Sequence, residues 1–211
     1  MSERTRATAL YELEQRALQK PPELAELSDR IVFGDGNPDA PLLIVGEAPG
    51  HDEDESGIPF VGRAGQLLDK IFEAVELTRY HLYITNIVKF RPPENRNPTQ
   101  QEIQASEAVL LEQIMILQPK LIVTLGNVPT QYFLDTKEGI TRLRGTWHDW
   151  RGVKLMPLYH PAYLLRNPSR ETGSPKWHMW QDVQELRRAY DDLSGTEERL
   201  HIDNTEQVGL F

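Results

Sequence analysis

The sequence has 211 residues, of which 39% are hydrophobic and 26% charged, a balance that indicates one globular domain and excludes wholesale disorder. It contains no cysteine, which excludes disulfides, thiolate nucleophiles and Cys-ligated zinc or iron–sulfur sites within this chain. The net charge is −9, but residues 139–180 carry seven Lys and Arg against two Asp and Glu, whereas residues 181–211 carry three against eight. The basic segment is compatible with a local anion-binding surface or with an ordinary uneven surface.

The hydrophobic pattern predicts helices that alternate with short, continuously apolar strands. The predicted helices are residues 5–20, 62–77, 99–118, 127–134 and 176–193. The predicted strands are residues 41–45, 81–88, 119–126 and 153–160. This alternation favours parallel pairing through right-handed crossovers, and it predicts a three-layer α/β/α sandwich with a central four-stranded parallel sheet. We expect a single domain over residues 1–195 and an acidic, flexible tail over residues 196–211.

Glycine and polar residues stand where the four predicted strands end: Gly46-Glu47, Asn86, Gly126 and His160. In sheets of this kind, ligands bind beyond the carboxyl ends of the strands. We therefore expect one crevice to collect residues from all four strands.

The first motif, GEAPGHDEDESGIPFVGRAGQLLD, follows the first strand and covers residues 46–69. Gly46 and Gly50 allow a sharp turn and a close approach to a ligand, and Pro49 stiffens that turn. Glu47 begins the turn, where a carboxylate could orient a water molecule. The alternative is a solvated turn carboxylate.

Two other features of this motif have alternative interpretations. Phe60 is a large aromatic residue in a predicted loop, where it is either a ligand contact or a hydrophobic plug. The acidic run at residues 51–55 could bind a hard cation through carboxylate oxygens. More often such a run is a solvated loop or the favourably charged start of a helix.

The second motif, ITNIVKFRPPENRNP, places the amide of Asn86 in an apolar strand, and buried amides need partners. The amide could read the edge of a planar base, or it could tie the backbone internally. Three basic side chains that follow could hold phosphates. They are Lys89, Arg91 and Arg96.

The third motif, YHPAYLLRNPSR, begins at residue 159 and places His160 at a strand end, as an oxyanion donor or as a structural histidine. It continues with two leucines beside two arginines, a pattern that suits insertion into a base stack, although the leucines could also pack on the core. These residues are Leu164, Leu165, Arg166 and Arg170.

Together these motifs resemble the uracil-DNA glycosylase superfamily, most closely its family-four bacterial and archaeal enzymes, over roughly residues 31–190. The resemblance is carried by VFGDGNPDAPLLIVGEAPG, GIPFVGRAGQLLD, YITNIVKFRPPENRNP and HPAYLLRNPSR. It implies a hydrolase of base excision repair that flips deoxyuridine out of DNA, cuts its N-glycosidic bond and leaves an abasic site.

The resemblance also implies a role for each candidate residue. Phe60 would stack on uracil, and Asn86 would hydrogen-bond its O4/N3 edge, where cytosine presents a donor instead of O4. Glu47 would position the attacking water, and His160 would stabilise negative charge that grows on uracil O2. The loop of residues 164–166 would enter the space left by the flipped nucleotide. The pocket wall would be Gly46, Ala48, Pro49 and Gly50.

One departure from the family-four pattern is large. Those enzymes bind an iron–sulfur cluster through four cysteines, and the matching positions here are Gln19, Pro22, Phe90 and Ser106. We expect an enzyme without cofactor or metal.

No lysine lies in the glycine turn or the HPA segment, which predicts a monofunctional glycosylase rather than a lyase. The alternatives are a non-catalytic uracil- or DNA-binding repair accessory, and a metal-dependent phosphohydrolase that uses residues 51–55.

The expected partner is uracil-containing DNA, single- or double-stranded, bound by a monomer. The terminal EQVGLF (206–211) resembles a short peptide that binds a sliding clamp, and the alternative is an unstructured end.

No apolar run reaches the ~18 residues of a transmembrane helix, and the first residues lack the apolar core of a signal peptide. We therefore expect a cytoplasmic protein without membrane contact.

Overall fold

The structure is a computed structural model that describes residues 5–194 of the chain. Within that range a sheet of six strands lies between two layers of helices. The strands are β1 (Asp35–Gly36), β2 (Leu42–Gly46), β3 (Leu82–Asn86), β4 (Leu121–Leu125), β5 (His148–Trp150) and β6 (Val153–Leu158). The helices are α1 (Arg6–Ala17), α2 (His51–Ser56), α3 (Arg63–Glu73), α4 (Gln100–Leu117), α5 (Asn127–Leu134), α6 (Ile140–Leu143), α7 (Pro161–Arg166) and α8 (Pro175–Ser194).

The sheet has the strand order β1-β3-β2-β4-β6-β5. Its four central strands pair in parallel, which confirms the α/β class and the four predicted strands. The predicted strand number was wrong, because β1 and β5 add an antiparallel strand at each edge of the described sheet. Both edge strands are short and not fully buried, so they lack the continuous apolar run that marks the central strands.

Each face of the sheet packs against its own group of helices. Leu42 and Ile44 of β2 point to the layer that contains α3, α7 and α8. Leu43 and Val45 alternate to the opposite face, where α1, α4 and α5 cover them. This alternation follows from the two-residue period of a strand and gives the predicted three-layer sandwich.

Helix α4 begins as the sequence predicts. The Thr99 hydroxyl accepts a hydrogen bond from the amide of Glu102 at 3.2 Å, and the Glu102 carboxylate accepts one from the amide of Thr99 at 2.7 Å. This reciprocal pair is a capping box, and it supplies partners to two amides that the helix itself leaves unpaired.

Strand register brings the carboxyl ends of β2 and β3 side by side. Gly46 lies opposite Asn86. Beyond the strands, the amide of Ile87 donates to the carbonyl of Gly46 at 3.0 Å, and the amide of Val88 donates to that of Glu47 at 3.1 Å. The chain segment that carries Glu47 is therefore held to the segment that carries Asn86.

The region after β6 differs from the prediction. Residues 161–166 form α7 rather than a loop, because a proline is well tolerated at the first position of a helix. The tail of residues 196–211, with its EQVGLF segment, lies outside the described residues. None of the helices between residues 5 and 194 has both the length and the apolar character needed to cross a membrane.

Candidate active site

A cleft of about 750 Å³ opens at the edge of the sheet where the four central strands end. The structure brings Glu47, Phe60, Asn86 and His160 together in its lining. The glycine-rich turn after β2 completes this wall with Ala48, Pro49 and Gly50. The crevice expected from strand topology therefore exists, and it is lined by the predicted pocket residues except Gly46, which lies against Asn86 and Phe60.

Gly46 lies directly against the side chains of Asn86 and Phe60. A Cβ atom at this position would overlap the amide oxygen of Asn86 and would lie 2.7 Å from the Phe60 ring. Real Cβ atoms essentially never come so close to a neighbour, so a larger residue would displace one of the two side chains. Gly46 thus lets Asn86 and Phe60 pack tightly beside each other.

Asn86 is 2% exposed, and its Oδ1 atom has no hydrogen-bond partner within the described part of the protein. A buried amide without a partner costs free energy unless a ligand supplies one. Because Asn86 lines the cleft, its amide is available to a planar ligand that carries both donors and acceptors on one edge.

Phe60 is buried and adopts a left-handed backbone conformation with φ of 56°. This conformation costs a residue with a side chain about 1–3 kcal/mol, so surrounding contacts must hold it. The Phe60 ring lies 5.9 Å from the His160 ring, centroid to centroid, with 35° between their planes. Both rings face the cleft, and the Phe60 ring can serve as a stacking surface.

His160 is held as a neutral donor. Its Nδ1 atom accepts a hydrogen bond from the amide of Ala162 at 3.1 Å and caps α7, which leaves the proton on Nε2. Burial, and secondarily the charge of Arg166, lowers the pKa of His160 to about 4. At neutral pH the ring is therefore uncharged and can donate from Nε2.

Glu47 lies between β2 and α2, and burial raises the pKa of its carboxyl above the ordinary value. A partly desolvated carboxylate is a stronger proton acceptor than an exposed one, which suits the orientation of a water molecule. The cleft also contains Asn95, which sequence reasoning did not select, and Glu53, which it considered only as part of the acidic run of residues 51–55. Asn95 belongs to the PPENRNP loop of the second motif, and that motif is the sequence feature that could have indicated it. In the structure, Glu94 and Asn95 both have left-handed backbone conformations.

Two of the proposed DNA contacts were wrong. Lys89 is 2% exposed, and its ammonium donates to Thr85 Oγ1 at 2.6 Å, to the carbonyl of Asn86 at 2.6 Å and to Gln113 Oε1. The side chain therefore points into the core, since residue 89 continues the apolar segment after β3. Leu164 is completely buried on the inner side of α7, which removes it as an intercalating wedge.

The other candidates remain accessible to different degrees. Leu165 is 38% exposed, and Arg170 is exposed as well. Arg166 lines the cleft, as does Arg96, which also makes a two-pronged ion pair with Glu102 at 2.6 and 2.8 Å. Arg91 is partly buried, and its Nε atom donates to Asn95 Oδ1 at 2.7 Å, so it also holds the loop that carries Asn95.

The acidic run of residues 51–55 forms most of α2. Glu53 in this run accepts hydrogen bonds from three backbone amides, those of Gly50, Val61 and Gly62. Between residues 5 and 194 no cluster of three or more His, Cys, Asp or Glu side chains has an arrangement that could hold a metal ion. The run therefore acts as a helix start and a loop contact in this structure.

The positions that match the family-four cysteines do not fit an iron–sulfur cluster. None carries a thiolate, and Ser106 Oγ donates to the carbonyl of Glu102 at 2.8 Å. Phe90 is buried, and the Lys20 ammonium lies 5.3 Å from the centre of its ring. Gln19, Phe90 and Ser106 line a mainly apolar cavity of about 180 Å³ between α1 and α4. A buried phenylalanine with a cation–π contact and a hydrogen-bonded serine thus stand at two of the four positions, while Gln19 and Pro22 are exposed.

The chain is similar in sequence to several known proteins. The model of the uracil DNA glycosylase superfamily matches residues 33–184. The chain is 48% identical over 143 residues to the type-4 uracil-DNA glycosylase of Thermotoga maritima, across 67% of this chain and 74% of that protein. It is 42% identical to the type-4 enzyme of Sulfurisphaera tokodaii, across 70% of this chain and 71% of that protein. For the type-4 enzyme of Archaeoglobus fulgidus, the identity is 38% across 69% and 77%.

Proposed function

The chain belongs to the uracil DNA glycosylase superfamily and is a uracil-DNA glycosylase, and on that basis we propose that it is a monofunctional enzyme that hydrolyses the N-glycosidic bond of deoxyuridine in DNA. The observation that carries this proposal is the single cleft that holds Glu47, Phe60, Asn86 and His160. Because the reacting bond is hidden in a base stack, the target nucleotide is first flipped into the cleft.

In the proposed complex, the flipped uracil stacks on the ring of Phe60. The amide of Asn86 pairs with the O4/N3 edge of uracil, since it offers both an acceptor and donors. Cytosine has a donor at the position of O4 and meets the same amide poorly, so Asn86 supplies the discrimination. The unpartnered Oδ1 of Asn86 supports this assignment, because N3–H of uracil would satisfy it.

The proposed reaction replaces the C1′–N1 bond by a C1′–O bond. As C1′–N1 breaks, its electron pair leaves with uracil, and the negative charge spreads from N1 to O2. The neutral ring of His160 donates from Nε2 to O2 and stabilises this charge without reorganisation. Glu47 orients the attacking water and accepts its proton, and uracil and an abasic site are the products.

The monofunctional assignment rests on the lack of a lysine among the described residues that line the cleft. A lyase forms a Schiff base through a lysine or another amine, and no lysine lines the cleft within residues 5–194. Lys89, which follows Asn86 closely in sequence, points into the core. Hydrolysis by water is therefore the reaction that this cleft supports.

We further propose that catalysis and folding need no iron–sulfur cluster, because none of the four matching positions offers a thiolate that could bind iron. Arg96, Arg166 and Arg170 are proposed phosphate contacts, with Leu165 as the side chain that fills the gap in the stack.

The enzyme would act in base excision repair, on single- or double-stranded DNA, as a cytoplasmic monomer. Removal of residues 204–211 tests whether EQVGLF binds a sliding clamp.

Release of uracil from a single-uracil oligonucleotide tests the proposal, with alkaline cleavage to reveal the abasic site. We expect cleavage after alkali only, in buffer that contains a chelator. Cleavage without alkali would indicate a lyase. Tight binding without release would instead favour a repair accessory, and strict dependence on Mg²⁺ or Mn²⁺ would favour a phosphohydrolase.

A further inference from the structure

The loop that carries Phe60 is held from outside the cleft by one arginine. Arg79 lies in a short turn before β3, and it donates from Nη1 to the carbonyl of Pro59 at 3.0 Å and from Nη2 to the carbonyl of Phe60 at 2.6 Å. These are the two carbonyls that flank the left-handed φ of Phe60. A fixed orientation of both peptide groups leaves Phe60 little freedom to relax to an ordinary backbone conformation.

Two carboxylates orient the guanidinium of Arg79 itself. Asp69 in α3 accepts from Nε at 3.1 Å and from Nη2 at 3.4 Å, and Asp35 in β1 accepts from Nη1 at 3.0 Å. Arg79 thus donates five hydrogen bonds, three to the two carboxylates and two to the carbonyls of Pro59 and Phe60. An arginine has five N–H donors, so all of them are used. A lysine offers a single point charge at this position and cannot reproduce the fork.

A carboxylate holds the other side of the same loop. Glu53 Oε1 accepts from the amides of Val61 at 3.0 Å and Gly62 at 2.9 Å, and its Oε2 accepts from the amide of Gly50 at 3.1 Å. A cation therefore binds the carbonyls at and before Phe60, while an anion binds the amides after it. Hydrogen bonds to charged groups of this kind are stronger than neutral ones.

Helix α3 completes the support. A Cβ atom on Gly65 would overlap the carbonyl group of Phe60, so the helix can approach the loop only with glycine at this position. The loop is thus bounded by Arg79, Glu53 and the start of α3. The Phe60 ring, fixed in this way, packs on Gly46 and lies near His160.

We propose that Arg79 is a positioning residue for uracil binding, with Glu53 as its counterpart, because together they hold Phe60 in its stacking orientation. This inference rests on the proposed function, in which Phe60 stacks on uracil. Arg79 does not touch the substrate and acts through the two carbonyls that it binds. A preformed stacking surface lets the base bind without the cost of ordering the loop.

The chain offers a closely matched control in Arg187 of α8. This arginine donates to the carbonyls of Val75 at 2.9 Å and Glu76 at 3.0 Å and pairs with Asp191 at 2.9 Å. Glu76, like Phe60, is left-handed, with φ of 56°. The turn that Arg187 holds follows α3 and contributes no residue to the lining of the cleft. Arg79→Lys and Arg187→Lys therefore both remove guanidinium hydrogen bonds to two backbone carbonyls, the first beside the cleft and the second away from it.

The test compares wild type, Arg79→Lys and Arg187→Lys by three measurements: the inhibition constant of free uracil, KM and kcat on a single-uracil oligonucleotide, and the melting temperature. We expect Arg79→Lys to raise the uracil inhibition constant and KM about fivefold or more, the lower end of the effect of losing a base–aromatic stack. Arg187→Lys should lower the melting temperature with both constants unchanged.

Equal constants for folded Arg79→Lys and wild type would overturn the inference, as would an equal rise in Arg187→Lys. Should Arg79→Lys fail to fold, Glu53→Gln serves as the second variant, with the same expected rise and the same refuting result. A wild-type protein that binds uracil but releases none would contradict the proposed function, whereas the dissociation constants of free uracil, measured by direct titration of the same three proteins, would still test the role of Arg79.

Discussion

The neutral state of His160 makes a prediction about stability as well as catalysis. In the folded protein the pKa of His160 is lowered to about 4 by burial and by Arg166, against 6.5 for an ordinary histidine. Between these values the unfolded chain binds a proton that the folded protein does not, so the free energy of unfolding falls as the pH decreases through this range. From pH 7 to pH 5, this one group removes up to about 2 kcal/mol of stability.

The variant His160→Asn isolates this contribution. Asparagine is a good helix N-cap and can accept from the amide of Ala162, so α7 keeps its cap while the titrating ring is lost. Urea unfolding of both proteins at pH 7, 6 and 5 gives the difference directly, because contributions from the shared carboxylates cancel. Wild type should lose about 2 kcal/mol more than the variant between pH 7 and pH 5.

His51→Asn, at an exposed histidine of α2, controls for the removal of an imidazole away from the cleft. Parallel pH dependences for wild type and His160→Asn would refute the reasoning. Such a result would mean that the ring binds a proton as readily in the folded protein as in the unfolded chain. His160 would then not be held as a neutral donor beside the cleft.

Other changes to the cleft have equally definite outcomes. Glu47→Gln should lower the single-turnover rate of uracil release ~10²-fold or more, and the wild-type rate should fall in acid through the raised pKa of Glu47, because the active form is the carboxylate. Gly46→Ala should abolish release in a folded protein, since its Cβ displaces Phe60 or Asn86. Arg166→Ala should weaken DNA binding and reduce its salt dependence by about one unit of slope. Prolonged dialysis against chelator should leave uracil release and the melting temperature unchanged.

The central fold was predictable because its signals are local and strong. Buried parallel strands such as β2 are continuous apolar runs, and α4 carries its own capping box at Thr99 and Glu102. The edge strands β1 and β5 were missed, since two or three partly exposed residues contain no periodicity. The segment of α7 was predicted as a loop, although Pro161 stands at the first helical position, where proline is well tolerated.

The candidate site was predictable where residues stand at strand ends, as Asn86 does, because topology alone brings those ends together. The site was not predictable at positions where a side chain could face either the solvent or the core. Lys89 was interpreted as a phosphate contact because it follows Asn86 beside Arg91 and Arg96, but the oxygen atoms of Thr85 and Gln113 accept hydrogen bonds from its buried ammonium. Arg79 gave no signal at all, since its partners at Pro59 and Phe60 lie about 20 residues away in the sequence.

A crystal structure of the enzyme with an abasic oligonucleotide and free uracil tests the central claim most directly. The account predicts uracil stacked on Phe60, with its O4/N3 edge on the amide of Asn86 and its O2 within hydrogen-bond distance of His160 Nε2. Glu47 should face C1′ of the abasic sugar from the opposite side to the base. Uracil bound elsewhere, or bound in the cleft with its O2 directed away from His160, would contradict the account.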